Sequence, residues 1–409
     1  MRTLLSAVML ALAGAATTPL PAQNPDSLRR ARADSIRLVR EIEAMTRRDT
    51  SAQAPAPPRT GPVNPRLLPD ISAVGDFVVD LSPKGSTQEN ASRLGVREVE
   101  VQLIAAVDPY FRGELLTAWS DAEGATLEQA ILTATALPWG LQARLGRLPL
   151  PFGKQNILHR EALHTIEFPY VIQRFLSEEG LKVNGVVLSG IWSPFGFYQE
   201  VQATVADRFG EASEDLVAET TPSRQLHGLG YGIRLRSYWD LTLNANLELS
   251  GSAVTGLREQ PLAVPVGQIT AVLLRQTVAG VDVTYRWRPL QEGLYRSFLL
   301  QAEVMRQFNQ RNVPANYAGP TRHFTGAFVL ARYQLSRRGY AAARYDWLQD
   351  PEAGGADLHA GTLQYQFYPS EFSKLVAAVE QRGWRGSGGT TRILLQAVFA
   401  IGPHRPHPF

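Results

Sequence analysis

A chain of 409 residues with 41 basic and 38 acidic side chains and no cysteine excludes a disulfide scaffold and thiol chemistry. The small basic excess sits in residues 1–66, which hold ten arginines and five acids. The remainder is near neutral, so no basic face is offered to nucleic acid.

The chain opens "MRTLLSAVMLALAGAATTPLPAQ", with Arg2, an apolar run from Leu4 to Ala13 and small residues up to Ala22. Charge, short apolar run and small-residue site in that order read as a secretory signal peptide over residues 1–22. The run is too short to span a bilayer. Residues 23–50 predict a helix with Asp26 or Ser27 as N-cap. Leu28, Ala31, Ser35, Leu38, Ile42 and Met45 recur at alternating steps of three and four, the seam of a coiled coil. So short a seam needs an attached oligomer to persist, so the segment reads as an oligomerising stalk. A helix lying on another surface would carry the same stripe. Residues 51–66, "SAQAPAPPRTGPVNPR", form a Pro/Ala-rich linker with an extended backbone.

After residue 22 no stretch offers about 20 consecutive apolar residues. A membrane-spanning chain of this kind crosses only as a closed barrel, because lipid leaves no other way to satisfy each backbone group. Strands are predicted over 71–82, 94–107, 110–121, 125–137, 140–148, 181–193, 196–207, 226–238, 240–251, 270–288, 295–308, 322–335, 339–348, 358–368, 373–384 and 390–402. Short connections ("DP" at 108, "PWG" at 138, "SPFG" at 193, "YWD" at 238, "RPLQEG" at 288, "SRRG" at 336, "YPSE" at 368) alternate with mostly longer ones. The expected fold is therefore all-β, a transmembrane antiparallel β-barrel of about 16 strands over 67–409, with its short turns in the periplasm.

Three stretches show the two faces. Glu98, Glu100 and Gln102 oppose Val99, Val101 and Leu103; Thr362, Gln364 and Gln366 oppose Leu363, Tyr365 and Phe367. In "DLTLNANLELS", polar residues 240 to 250 alternate with Leu241, Leu243, Ala245, Leu247 and Leu249. One face suits water and the other lipid. Aromatic residues such as Tyr110, Trp139, Trp192, Trp239 and Trp287 gather at strand ends, where amphipathic rings sit at headgroup level.

The stretch "LGRLPLPFGKQN", 145–156, is an arginine-bearing strand running into Pro-Phe-Gly and a long loop. It resembles the phosphate-selective porin O and P family of Gram-negative outer membranes. The segment "YPSEFSKLVAAVEQRGW" and the ending "IGPHRPHPF" are similar to other porin-like and receptor-like barrels. The resemblance implies a homotrimer of sixteen-stranded barrels whose third long loop, here 149–180, folds into the pore and narrows it. An outward lid is the alternative. Candidate pore residues are Arg144, Arg147, Lys154, Arg160, Glu161, Arg174, Arg234, Arg236, Arg286, Arg344 and Arg382. Lys154, Arg160 and Arg174 are expected to face Arg144 and Arg147, or the acids opposite them.

The chain departs from that family in holding only four lysines. Alternation turns Arg144, Arg234, Arg236, Arg286, Arg288, Arg344, Lys374, Arg382 and Arg392 inward, together with Glu98, Glu100, Glu200, Glu248, Asp282, Glu303, Asp346 and Glu380. So balanced a lumen predicts weak or modest ion selectivity. The expected function is passive diffusion of small hydrophilic solutes or ions across the outer membrane. One alternative is a substrate-specific or receptor-like barrel for anion, phosphate or another nutrient, although residues 23–66 leave no room for a plug domain. A hydrolase built on His159, His164 and Ser177 is another, without a supporting motif. No cofactor is implied. Expected partners are outer-membrane lipid, two further copies and the barrel-assembly machinery.

The ending "RILLQAVFAIGPHRPHPF" begins as a closing strand, with Ile393, Leu395, Ala397, Phe399 and Ile401 on one face and Arg392 and Gln396 on the other. Pro403, Pro406 and Pro408 lack amide donors, so the ladder should stop near Gly402. The resemblance implies that Phe409 is the aromatic assembly signal, at a C-terminus in the periplasm. His404 and His407 make only a weak metal pair across a proline, and no metal is expected.

Overall fold

In a computed structural model, the described residues are 69–402 apart from 89–90, 121–123, 210–227, 262–270, 310–322, 352 and 387. The leader, stalk and linker expected before residue 67, and His404, His407 and Phe409, lie outside the described residues.

Sixteen strands are present: β1 (Asp70–Asp80), β2 (Leu94–Ala106), β3 (Phe111–Ser120), β4 (Gly124–Ala134), β5 (Leu141–Pro149), β6 (Lys182–Trp192), β7 (Tyr198–Ala206), β8 (Gly230–Thr242), β9 (Ala245–Pro261), β10 (Ala271–Trp287), β11 (Phe298–Asn309), β12 (His323–Gln334), β13 (Gly339–Asp350), β14 (Ala356–Ser370), β15 (Ser373–Trp384) and β16 (Thr390–Ile401). Each pairs with its sequence neighbours, and β1 pairs antiparallel with β16, closing the barrel. A sheet that closes on itself leaves no edge of unpaired amides. Asp70 opposite Ile104, and Ala73 opposite Ile401, place both ends of the barrel on the side of the seven short connections. The ladder ends at Ile401, before the prolines.

The structure corrects two readings. Residues 238–240 are not a turn: β8 runs on to Thr242, and the chain reverses over 243–244. The connection expected over 349–357 is also shorter, 351–355, because β13 runs to Asp350 and β14 begins at Ala356.

Side-chain direction follows the pleat. Leu115, Leu145, Ile233, Val281, Val304, Leu363 and Val379 point outward and are exposed, giving the wall an apolar belt suited to lipid. A bulge disturbs the period once to functional effect. The register shifts between Asp76 and Phe77, where Arg97 is the extra residue of β2. Arg97 therefore turns inward beside Glu98 and forms an ion pair with Asp76.

Candidate functional site

The third long-side connection, residues 150–181, leaves β5, crosses the barrel interior and returns to β6. Its neck is closed by its own groups. Leu150 N–H donates to Leu181 O at 2.9 Å. The Asn156 amide donates to Leu150 O at 2.8 Å and accepts from Leu181 N–H at 2.6 Å. Pro-Phe-Gly then turns the chain onto the opposite wall. Gly153 has φ 54, and a Cβ there would collide with the Glu303 carboxylate, so only glycine fits. Next to it, Lys154 Nζ meets Glu248 at 2.9 Å and Gln155 donates to Gln301 at 2.6 Å.

An apolar face on the loop holds it down. Leu150, Phe152, Leu163, Phe168, Val171, Ile172 and Phe175 are buried against Val278, Met305, Phe324, Phe328, Leu330, Leu348 and Leu358, all on inward positions of β10 to β14. Burial of a side chain of this size contributes about 1.5–3 kcal/mol. The short helix α1 (Tyr170–Phe175) sits at the centre of this cluster. Gly326 of β12 makes room for it, since a Cβ there would lie 2.7 Å from Val171.

Polar ties surround the apolar face. Tyr170 OH donates to Glu380 at 2.6 Å and receives Arg382 at 3.1 Å. Arg344 Nη1 donates to Thr165 Oγ1 at 2.7 Å and to Glu167 O at 2.6 Å, while its Nε donates to Asp346 at 2.7 Å. Lys374 donates to the carbonyl oxygen of Glu161 at 2.5 Å, and Gln366 to that of His164 at 2.6 Å. Across the lumen, Arg97 reaches Ile166 O at 3.2 Å, and His159 lies 2.9 Å from Gln129 and 3.6 Å from Glu100. The loop is therefore folded inward and tied to several strands around the barrel; the alternative of an outward lid is not the observed one.

The wall it leaves uncovered differs. Toward the short-turn side, Arg112, Glu114, Gln142, Arg144, Ser189, Tyr198, Glu200, Gln202, Arg236, Arg286 and Arg332 point inward and remain partly exposed. Arg332 is stacked on Tyr340, 3.8 Å from the ring centroid.

The expected pore residues thus separate into groups. Lys154, Arg160 and Arg174 face acids: Glu248, Glu179 at 2.8 Å, and Asp350 and Glu178, both at 3.7 Å. Arg234 and Arg344 are buried, while Arg144, Arg236, Arg286 and Arg382 keep solvent contact. Glu161 is buried in the loop. Arg147 is a correction. It stands opposite Ala130 and exposed Asn184, on the same outward face as Leu145, because it is three residues from inward Arg144. Sequence reasoning missed Arg97, whose bulge breaks the alternation, and the apolar inward cluster, where β12 turns Phe324, Phe328 and Leu330 inward and no polar stripe marks that part of the lumen.

Burial disfavours the charged form of each loop group, and the neighbours decide the outcome. For His159, burial is outweighed by Glu100, and its imidazole is raised to about 10. Burial and then Glu100 push Glu161 up to about 8. For Glu167, burial is overcome by Arg97, Arg392 and Arg160, which hold it below the usual range. His164 is held well below its ordinary value by burial and by Arg332 and Lys374.

No protein-family model matches the chain. A protein of Aquifex aeolicus described as "Uncharacterized protein" is 27% identical over 335 residues, covering 76% of this chain and 69% of that one. Among solved structures, the chain is similar to the outer-membrane protein OmpT of Vibrio cholerae with loop L8 deleted (TM-score 0.55, 10% identity, 82% of this chain and 100% of that one). It is likewise similar to the outer-membrane channel DcaP of Acinetobacter baumannii (0.52, 10%, 82% and 97%). An anion-selective porin from Comamonas acidovorans aligns at 0.50 with 13% identity, over 82% and 98%. At these identities the likeness establishes the outer-membrane barrel fold and does not single out the phosphate-selective type.

Proposed function

We propose that this chain is an outer-membrane porin for passive diffusion of small hydrophilic solutes and ions, constricted by loop 150–181 and modestly selective for anions. The open wall carries the reading. There Arg112, Arg144, Arg236, Arg286 and Arg332 outnumber Glu114, Glu200 and Asp240 among the described residues, so the passage beside the loop has an excess of fixed positive charge. Such an excess raises the local concentration of anions. The description of the Comamonas acidovorans neighbour as anion-selective is in keeping with this. In this reading residues 1–22 direct export, the 23–50 stalk and the C-terminus lie in the periplasm, the stalk supports a homotrimer, and Phe409 addresses the assembly machinery.

Planar-bilayer recording of the purified protein under a salt gradient tests it. Stepwise openings with a reversal potential displaced toward that of the anion are expected; a silent barrel or a cation preference would sink the proposal. A substrate-specific channel is the second reading, favoured by how deeply the loop packs on β10 to β14. It predicts that one solute blocks the current at concentrations where others do not. A hydrolytic role gains no support from His159, which turns to Glu100 and Gln129.

A further inference from the structure

Where the loop meets β2, Glu100, His159 and Glu161 bring two carboxylate oxygens and an imidazole nitrogen within 4.8 Å of one another. Glu100 belongs to the wall; His159 and Glu161 belong to the single 3-10 turn at Arg160–Ala162 and its N-cap. His159 Nδ1 lies 3.6 Å from Glu100 Oε1, close to the ligand-to-ligand edge of a tetrahedron with bonds of about 2.1 Å. The two glutamates are 7% and 8% exposed. Beside them is a cavity of about 10 Å³, lined by Glu98, Glu100 and His159 among others, room for about one water-sized occupant.

Glu98, Glu100 and Glu161 are all buried here, with the His159 imidazole among them, Arg160 acting on Glu98 and Lys374 on Glu161. Arg160 is also tied to Glu179 at 2.8 Å and Lys374 to the Glu161 carbonyl oxygen at 2.5 Å. Carboxylates gathered away from water are costly unless a cation neutralises them.

We propose that Glu100, His159 and Glu161 bind a divalent transition metal ion of the Zn²⁺ type, which staples the inward loop to β2. An imidazole with two carboxylates suits Zn²⁺ better than Ca²⁺, which takes about six to eight oxygens. Gln129 reaches His159 Nε2 at 2.9 Å, and with its amide oxygen turned to the ring it accepts the Nε2 proton and leaves Nδ1 for the metal. The site does not depend on what passes the pore, so it is read by binding and a failed conductance experiment leaves it standing.

The test titrates Co²⁺, then Zn²⁺, into the detergent-solubilised full chain carrying His404→Asn and His407→Asn, which removes the terminal histidines as competitors. One Co²⁺ per chain, with visible ligand-field absorption lost on adding Zn²⁺, is expected. His159→Asn and Glu161→Gln should each weaken binding by about tenfold or more while keeping heat-modifiable migration, and Gln129→Leu by about tenfold. No Co²⁺ spectrum in the parent protein overturns the proposal whether or not the variants fold. Equal affinity in a folded His159→Asn chain overturns it as well.

Discussion

The covered and open walls of the barrel use the same residue types to opposite ends. On the covered wall, Glu248, Asp282, Glu303, Asp346 and Glu380 are buried with Arg234, Arg344, Lys374 and Arg392, and apart from Glu303 these groups are engaged in holding the loop or one another. On the open wall, Arg144, Arg236 and Arg286 keep contact with solvent, with Glu200 beside Arg144 and Arg236, and with Glu248, at the border of the two walls, bonded to Arg236 at 2.9 Å. Counting inward charges by alternation yields a balanced lumen. Counting those that water reaches yields an arginine-rich one, because seven of the eight expected inward acids are buried.

The largest expected effect lies on the covered wall. Arg344→Ala removes three loop and wall bonds and leaves Asp346 buried without its guanidinium, at a cost of about 3–5 kcal/mol. A lowered denaturation midpoint and faster proteolysis within 150–181 would report it. Gly153→Val should cost about 2–3 kcal/mol, because a branched side chain at φ 54 is driven into Glu303. Its signature is a noisier open channel from a loosened loop neck.

The sharpest test of the contrast pairs one change on each wall. Arg144→Glu with Arg286→Glu should move the reversal potential to the cation side with little change in midpoint. Glu303→Gln should leave the reversal potential where it was and stabilise the fold by about 1 kcal/mol, read as a raised midpoint, since neither carboxylate oxygen has a hydrogen-bond partner among the described residues. Equal shifts in both proteins would erase the distinction between the walls.

The smallest effect is a pH dependence. His164 has its folded pKa depressed, facing Arg332, Lys374, Arg286 and Lys154. It therefore supports docking fully above its ordinary value of about 6.5 and loses that support as pH falls below it. Glu167, also depressed, supports docking above about pH 4.3 and loses it as pH falls toward its folded value. Glu161, raised to about 8, carries the opposite sign and gains support over the same window, so the effect is read in the Glu161→Gln chain, where channel noise should rise on acidification from about pH 7 to about pH 4. Quieter channels at low pH would contradict the packing of the loop.

Much of the barrel was legible because strand direction is local. Glu98, Glu100 and Gln102, and Thr362, Gln364 and Gln366, point inward as the alternation requires. The β8–β9 turn is hidden in the sequence because "DLTLNANLELS" alternates straight through the two turn residues and contains no glycine or proline. Arg147 faces outward as its spacing of three from inward Arg144 requires. The apolar cluster of Phe324, Phe328 and Leu330 went unseen because an inward face that packs on a loop instead of water carries no polar signature.

The amino-acid sequence by itself determined the sixteen strands, the two faces of most of them and the long third loop, since a period of two and a turn residue act within a few positions of chain. Only the tertiary structure decided which inward charges stay in water. That depends on contacts such as Tyr170 with Glu380 and Arg344 with Thr165, 210 and 179 residues apart. Where a loop comes to rest inside a barrel is set by the shape of the whole wall, through the cavities its side chains fill and the partners its buried polar groups find.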